Sequence, residues 1–475
     1  MLSLRTRTLP AIAILVAISG QAANRDRQPT APATPSEGFV ADVAQMRSAL
    51  EEGDPSLYRH RTKSAVDSAF AALADSASHA TSDAEFWRHL TATLAFVRDG
   101  HLTAMPSGSL WGPIVLAPLP LRLRVVGERL YVLRNLVKAA TPPDGSEIVS
   151  FNGMTTPQVL SFCLQHISAD GTLRTRGYRR IERDFDVACG SVLGSPKQYV
   201  IGSIAPGTNR VHVDTLASST SRTERAAPSA APAAPGALRF IPSGHIAVLT
   251  LHSFSKANGF DPSAFMNLAF RSIADSGVTS LIIDLRDNGG GRDGIGAELI
   301  AHIARDTFTY ARRVALRRHF TFADWVTNWR IKLFISTKTL PDGRLALNES
   351  LDRPQRPARH PFAGNVIALA DRGTFSTASE VMAVMQEYKR ATFVGEETAT
   401  GREGDSGATT GVMLTHSGIL IDVPLVKYEL PFAAHAPLGR GVLPDVHVEP
   451  AIEDLLAGRD VVMDAALQLA RSRAR

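Results

Sequence analysis

Between residues 38 and 98, apolar positions recur at the three-to-four-residue spacing of amphipathic helices, in FVADVAQMRSAL, AVDSAFAALA and FWRHLTATLAFV. Ser82 and Glu85 form a capping-box pair ahead of the third. The block ends at RDGHLTAM, where Asp99-Gly100 signals a turn and His101 follows it. From about Leu121 the period drops to two, in LRLRVV and RLYVLRNL, with Gly127-Glu128 between them. PDGSEIVSFNGMTTPQVL then supplies a turn, a strand, a second turn at Asn152-Gly153 and a helix start. Residues 217–237 are rich in Ala, Pro and Ser without periodicity and predict a linker.

Beyond residue 237 strands and helices alternate. HIAVLTL, SLIIDL, VIALA and ATFVGEE are strand-like; FDPSAFMNLAFRSIADS, GIGAELIAHIAR and the stretch after Ser376 are helical. A more polar insertion covers roughly 305–361, and GVMLTHSGILIDVP forms a hairpin turning at Ser417-Gly418. This alternation predicts an α/β core, a sheet with flanking helices. A helical block and a small β-rich domain precede it.

The chain has 475 residues, room for two or three domains, with 44% hydrophobic and 20% charged residues. Its start has the form of a secretory signal: Arg5 and Arg7, the apolar run LPAIAILVAIS, then GQAAN with cleavage after Ala22 or Ala23. The run is shorter than the roughly 20 residues of a membrane span. Secretion or periplasmic export is therefore expected, with no integral span after cleavage. Losing Arg5 and Arg7 takes the formal charge from +5 to +3, too mild to argue for nucleic acid. Cys163 and Cys189 either form one disulfide or stay as buried thiols. There is no CxxC or HExxH, and no GxGxxG or GK[ST], so no metal or nucleotide cofactor is implied.

The segment DRGTFSTASEVMAVMQEYKRATFVGEET (371–398) carries the chemistry. Ser376 stands between a buried strand and a helix N-terminus. A hydroxyl there can act as a nucleophile beside free helix N–H groups; equally, Ser376 or Thr377 can simply cap the helix. Two other segments complement it: DGH at Asp99–His101 and LRDNGGG at Leu285–Gly291. Neutral histidine can take a serine proton near neutral pH. Gly-rich backbone can approach a substrate and offer successive N–H groups to an anion.

In this order, and with GEET at Gly395–Thr398 and GRGVLPD at Gly439–Asp445, the chain resembles the C-terminal-processing and tricorn-type serine peptidases. Gly145, Ile148, Asn152 and Gly153 resemble the turn of a PDZ-like domain. The resemblance implies a ClpP/crotonase-like peptidase core. Together these readings give a signal at 1–23, a disordered leader at 24–37, a helical domain at 38–105 and a PDZ-like domain at 115–216. A linker at 217–237, the peptidase domain at 238–455 and a C-terminal helix at 456–475 complete the chain. Ser376 aligns as nucleophile, with Thr377 and Ser379 as alternatives because Glu380 follows Ser376 by four positions rather than three. The Ser-Lys branch places a lysine where Arg402 stands, and arginine cannot serve as base; Lys389 fits no family position. His101 matches the histidine base of the tricorn-type branch. Gly289 or Gly290, with Thr377, would form the oxyanion hole. Leu438 occupies the place of the acidic member, leaving Glu396, Glu397, Glu429 and Asp99 as candidates. GDSG at 404–407 is a chance match to an unrelated serine motif. The implied activity is serine endopeptidase action on protein or peptide substrates. The alternatives are a non-catalytic relative binding peptides or lipophilic ligands, and a small-ester hydrolase.

Overall fold

The computed structural model describes residues 34–473 apart from 107–118, 138–140, 195–196, 219–233, 243–244, 258, 318, 324–327, 330–334, 348–349, 433 and 435–437. The signal-like segment, its cleavage sites and most of the leader and linker lie outside the described residues.

The apolar runs of the C-terminal half become one six-stranded sheet. Its order is Val446–His447, Thr392–Gly395, Asn365–Ala370, Ser280–Asp284, Ile246–Leu251 and Gly236–Ile241. Every pairing is parallel except the last. Parallel strands require cover on both faces, and alternate residues provide for it. Ala247, Leu249, Leu281 and Ile283 pack with the helices Pro262–Asp275, Asp293–Ile303 and Thr377–Glu387. Ile246, Val248, Ile282 and Leu369 pack with Val462, Met463 and Ala466 of the last helix, Val461–Arg473. Gly236 and Ala237 already pair with Leu251 and Thr250, so the sheet starts two residues ahead of the expected boundary at 238.

The first helix, Pro35–Gly53, begins inside the segment expected to be a disordered leader. Local capping overrides the Pro-rich composition: Glu37 N–H donates to Thr34 Oγ1, Thr34 N–H donates to Glu37 Oε2, and Pro35 sits in the first turn. With the helices Lys63–His79 and Asp83–Val97 it forms a block that does not close its own core. Phe39, Met46, Phe70 and Leu90 share one cluster with Ile419, Ile421 and Val423 of the distant hairpin. The short strand Thr103–Met105 pairs antiparallel with that hairpin, Thr103 opposite Asp422. Buried Asp42 accepts the N–H groups of His416 and Ser417 at the hairpin turn (2.9 and 2.7 Å).

The small domain carries the strands Leu121–Val126, Arg129–Asn135, Glu147–Phe151, Gln198–Ile204 and Val211–Ala217 in that order. It is less purely β than its alternating strands suggested. The helix Thr175–Ala188 is dense in charge, yet it buries Tyr178, Ile181 and Phe185 along one stripe. Cys163 and Cys189 form a disulfide in this domain's core. Among the described residues no helix is long and apolar enough to cross a membrane.

A buried ion cluster holds the small domain on the core. Arg372, 4% exposed, pairs with Glu182 (3.1 Å), Glu396 and Glu449 (2.6 Å), and donates to the Val125 carbonyl (2.9 Å). Arg124 bridges Glu182 and Glu396 (3.2 and 3.6 Å). Removing one partner of a buried pair leaves desolvated charge behind. Arg372→Met is therefore expected to cost about 3–5 kcal/mol, read as a lowered urea midpoint; an unchanged midpoint would show that the cluster does not hold the domains together.

Candidate active site

Two loops of the sheet are stitched together at the C-terminal ends of adjacent parallel strands. Thr374 Oγ1 donates to the Leu285 carbonyl (2.9 Å), and Phe375 N–H to the Asn288 carbonyl (2.9 Å). Asn288 is fully buried and its amide donates to the Leu251 carbonyl (2.9 Å), fixing the glycine loop against the next strand. Gly290 takes φ +97°, and a Cβ there would stand 2.8 Å from Ser376 Cβ. Only glycine fits this approach.

Ser376 holds the N-cap position of the helix Thr377–Glu387 but does not cap it: its side chain makes no cap hydrogen bond. Its backbone lies at φ 53°, ψ −133°, a conformation that costs a non-glycine residue about 1–3 kcal/mol. The elbow is held by Ser376 N–H donating to Thr400 Oγ1 (2.7 Å). The freed hydroxyl lies 3.1 Å from His101 Nε2. The neighbouring hydroxyls turn elsewhere. Thr377 Oγ1 reaches the Gly291 carbonyl and Asp293 (3.2 Å each), and buried Ser379 donates to the Thr374 carbonyl (2.8 Å).

His101 arrives from the helical block. The helix Asp83–Val97 stops at Arg98, which adopts the left-handed conformation. Asp99 Oδ1 then accepts the His101 N–H (2.8 Å) and the Ser406 hydroxyl (2.6 Å). Asp170 of the small domain accepts Gly100 N–H (2.6 Å) and Gly401 N–H (3.2 Å). The imidazole stacks on Phe375, with centroids 4.5 Å apart. Burial, with Arg176 and Arg59 nearby, holds His101 well below the usual imidazole range, so the ring is neutral at neutral pH. Its Nδ1 is buried and meets no acceptor among the described residues.

None of the acidic candidates Glu396, Glu397 and Glu429 serves that nitrogen. Glu396 lies in the Arg372 cluster. Glu397 pairs with Arg440 (2.8 Å) and accepts Gly441 N–H (2.9 Å). Glu429 pairs with Arg312 and with Lys427 (3.1 Å). Each is drawn to a cation away from the histidine. Asp99 touches the His101 backbone rather than its ring. Of the oxyanion candidates, Gly290 has its N–H committed to Asn288 Oδ1 (2.8 Å). Gly289 keeps open space where a Cβ would stand, and Thr377 N–H lies in the first helical turn, where no intrahelical acceptor exists. Lys389 is exposed beyond the far end of the same helix, and Arg402 clamps that end through Gln386 (2.6 Å) and Glu387 (3.1 Å).

The carboxylate nearest the imidazole is Asp405, inside the GDSG tetrad. Its Oδ2 lies 3.9 Å from His101 Nε2, it is 1% exposed, and neither oxygen meets a donor among the described residues. Its neighbour is the carboxyl of buried Glu380, to which Tyr310 donates (3.1 Å). Burial pushes Asp405 well above the usual carboxylate range and Glu380 up to about 8, with Asp293 adding to the latter. A proton shared between the two carboxyls gives each the hydrogen bond it lacks. Sequence reasoning missed Asp405. It stands in a tetrad whose conspicuous residue is Ser406, and that serine is buried and bonded to Asp99.

The folded protein holds a proton on Glu380 over a range where the unfolded chain releases it. Stability is therefore lost as pH rises from about 4.5 towards about 8. Glu380→Gln, which keeps an acceptor for Tyr310, is expected to lose less melting temperature than wild type between pH 6 and pH 9. Parallel losses in the two proteins would count against the shared proton.

Residues 245–448 match the model of Peptidase family S41. No curated protein sequence matches the chain. Among solved structures the chain is similar to mature CPAF complexed with lactacystin, at 13% identity and a TM-score of 0.66, over 92% of this chain and 98% of that one. It is also similar to a second crystal structure of mature CPAF, at 14% identity and a TM-score of 0.64, over 92% and 97%. At such identities the likeness is one of fold, and it extends across both the helical block and the sheet. With that match placed around the Ser376 elbow, residues 245–448 carry a Peptidase family S41 core, and the protein is a serine-type peptidase.

Proposed function

We propose that the protein is an exported endopeptidase of the tricorn-type branch, working through Ser376 and His101. The observation that carries this reading is the 3.1 Å contact between Ser376 Oγ and His101 Nε2, made by a serine whose strained backbone frees it from capping. Ser376 Oγ attacks the scissile carbonyl while His101 Nε2 takes its proton. The carbonyl oxygen, now negative, lies against the N–H groups of Thr377 and Gly289. The imidazolium returns the proton to the leaving amine, and a water deprotonated by the same nitrogen releases the acyl group. As the imidazolium forms, the Asp405–Glu380 pair, whose Asp405 Oδ2 lies 3.9 Å away, holds one negative charge that opposes it. A full unit charge at that separation is worth about 4 kcal/mol at an effective dielectric of about 20, and the shared proton makes this an upper bound.

The α/β sheet takes the part of the ClpP/crotonase-like core in this reading, and residues 115–216 that of the PDZ-like domain. The buried Cys163–Cys189 disulfide supports export, because disulfides persist in oxidising compartments. A purely binding role finds less support. At the edge strand Leu121–Val126, Val125 N–H donates to Glu182 (3.0 Å) and its carbonyl accepts from Arg372 (2.9 Å), which blocks strand addition there.

A fluorophosphonate probe tests the dyad. It is expected to label Ser376 in the wild type, and labelling should vanish in Ser376→Ala and drop roughly a hundredfold or more in rate in His101→Ala. Labelling that is indifferent to His101 would remove the base. Because His101 is held below 6.5, kcat/KM should persist into mildly acidic solution and fall only below that pH; an acidic limb centred above 6.5 would contradict a desolvated base. Asp405→Asn is expected to lower kcat by about 10²–10³ with KM changed only a few-fold, since about 4 kcal/mol bounds its effect. An unchanged kcat would make Asp405 merely structural.

A further inference from the structure

Behind the dyad lies a basic cavity that the peptidase chemistry does not use. It measures about 50 Å³ and is lined by Arg176, Arg180, His166, Ser168, Thr91 and Thr103 on its polar side. That is room for roughly four water-sized positions of 10–15 Å³ each, the size of a carboxyl group with a short methylene stem. Trp87, Leu94 and Val187 supply apolar wall for such a stem.

Most of the polar lining is already partnered. His166 Nδ1 meets Thr91 Oγ1 (3.1 Å), and Arg180 pairs with Asp184 (3.3 Å). Arg176 is different. Its Nε is buried with no hydrogen-bond partner, and among the described residues its guanidinium makes no hydrogen bond or ion pair. The nearby carboxylates are engaged elsewhere: Asp170 holds Gly100 and Gly401, and Asp99 holds His101 and Ser406. The guanidinium instead lies 3.6 Å from the centroid of Phe375, the ring on which His101 also stacks at 4.5 Å. One aromatic ring, adjacent in sequence to Ser376, thus separates an unpaired cation from the base. A buried donor left without an acceptor is costly, and a planar fork of donors matches a carboxylate.

We propose that Arg176 is the floor of a specificity subsite that accepts a carboxylate side chain, Asp or Glu, of the peptide substrate. The subsite rests on the peptidase reading above. The apolar wall of Trp87, Leu94 and Val187 suits a methylene stem, which argues for a side chain over a chain terminus. Burial, with Arg180 alongside, pushes Arg176 down to about 9, so the site is still cationic at neutral pH and gains from an incoming anion.

Binding by the Ser376→Ala protein tests this without requiring turnover. The probes are pools of N-acetylated, C-amidated hexapeptides with one position fixed as Glu or Gln, together with a Gln pool bearing a free C-terminus. The Glu pool is expected to bind roughly tenfold or more tightly than the amidated Gln pool at one position. Adding Arg176→Met should reduce that preference to within about twofold, whereas Arg176→Lys should retain part of it, which separates lost charge recognition from lost folding. In the catalytic protein the same preference should appear in KM. Equal binding of Glu and Gln pools, a Glu preference that survives Arg176→Met, or an Arg176-dependent preference confined to the free C-terminus would each overturn the proposal. A protein that shows the Glu preference but cleaves nothing would retain the subsite and overturn only the peptidase reading.

Discussion

A serine and a histidine 275 residues apart must meet within hydrogen-bond distance, and the rest of the structure is arranged around that requirement. The serine side is rigid because the glycine loop, buried Asn288 and Thr400 all hold its elbow. The histidine side has no such strand beneath it. It is held by clamps from three directions: Asp99 with Ser406 from the GDSG turn, Asp170 from the small domain, and the Thr103–Met105 strand against the hairpin. Arg59 completes the grip by donating to the carbonyls of Gly404 and Asp405 (2.6 and 2.5 Å), tying the helical block to the same turn.

The electrostatics follow from drying out this junction. Once helices, hairpin and small domain close over it, each charge inside must find a partner, share a proton or lose its charge. Arg372 takes the first course, Glu380 and Asp405 the second, and His101 the third. Arg176 takes none of them. Phe375 packs against both the imidazole and the guanidinium.

What could be read from the sequence was what short-range physics determines. HIAVLTL and SLIIDL are buried on both faces, so their composition alone marks them as strands. Ser376 and His101 stood out only once the order of motifs around them resembled a known family, and the structure brings the two side chains to 3.1 Å. The helix Thr175–Ala188 was not legible, since its charged residues hide a three-residue apolar stripe. Nor was Asp405, whose significance depends on a histidine at the other end of the chain, much as Ser406 depends on Asp99. Periodicity tells which face of a helix is buried and not what buries it. The helical block therefore looked like a self-contained domain, while its actual partner is the hairpin at 410–423.

That shared core has a bearing on the order in which the molecule is made. Ribosomal synthesis delivers the helical block first and the serine elbow later, but the hairpin and the Val426–Glu429 strand that support the histidine turn come after both. A growing chain can therefore possess Ser376 and His101 without being able to bring them together. On the proposed mechanism, competence to cut awaits the emergence of strands that lie beyond the serine helix, so the unfinished protein is spared from its own chemistry.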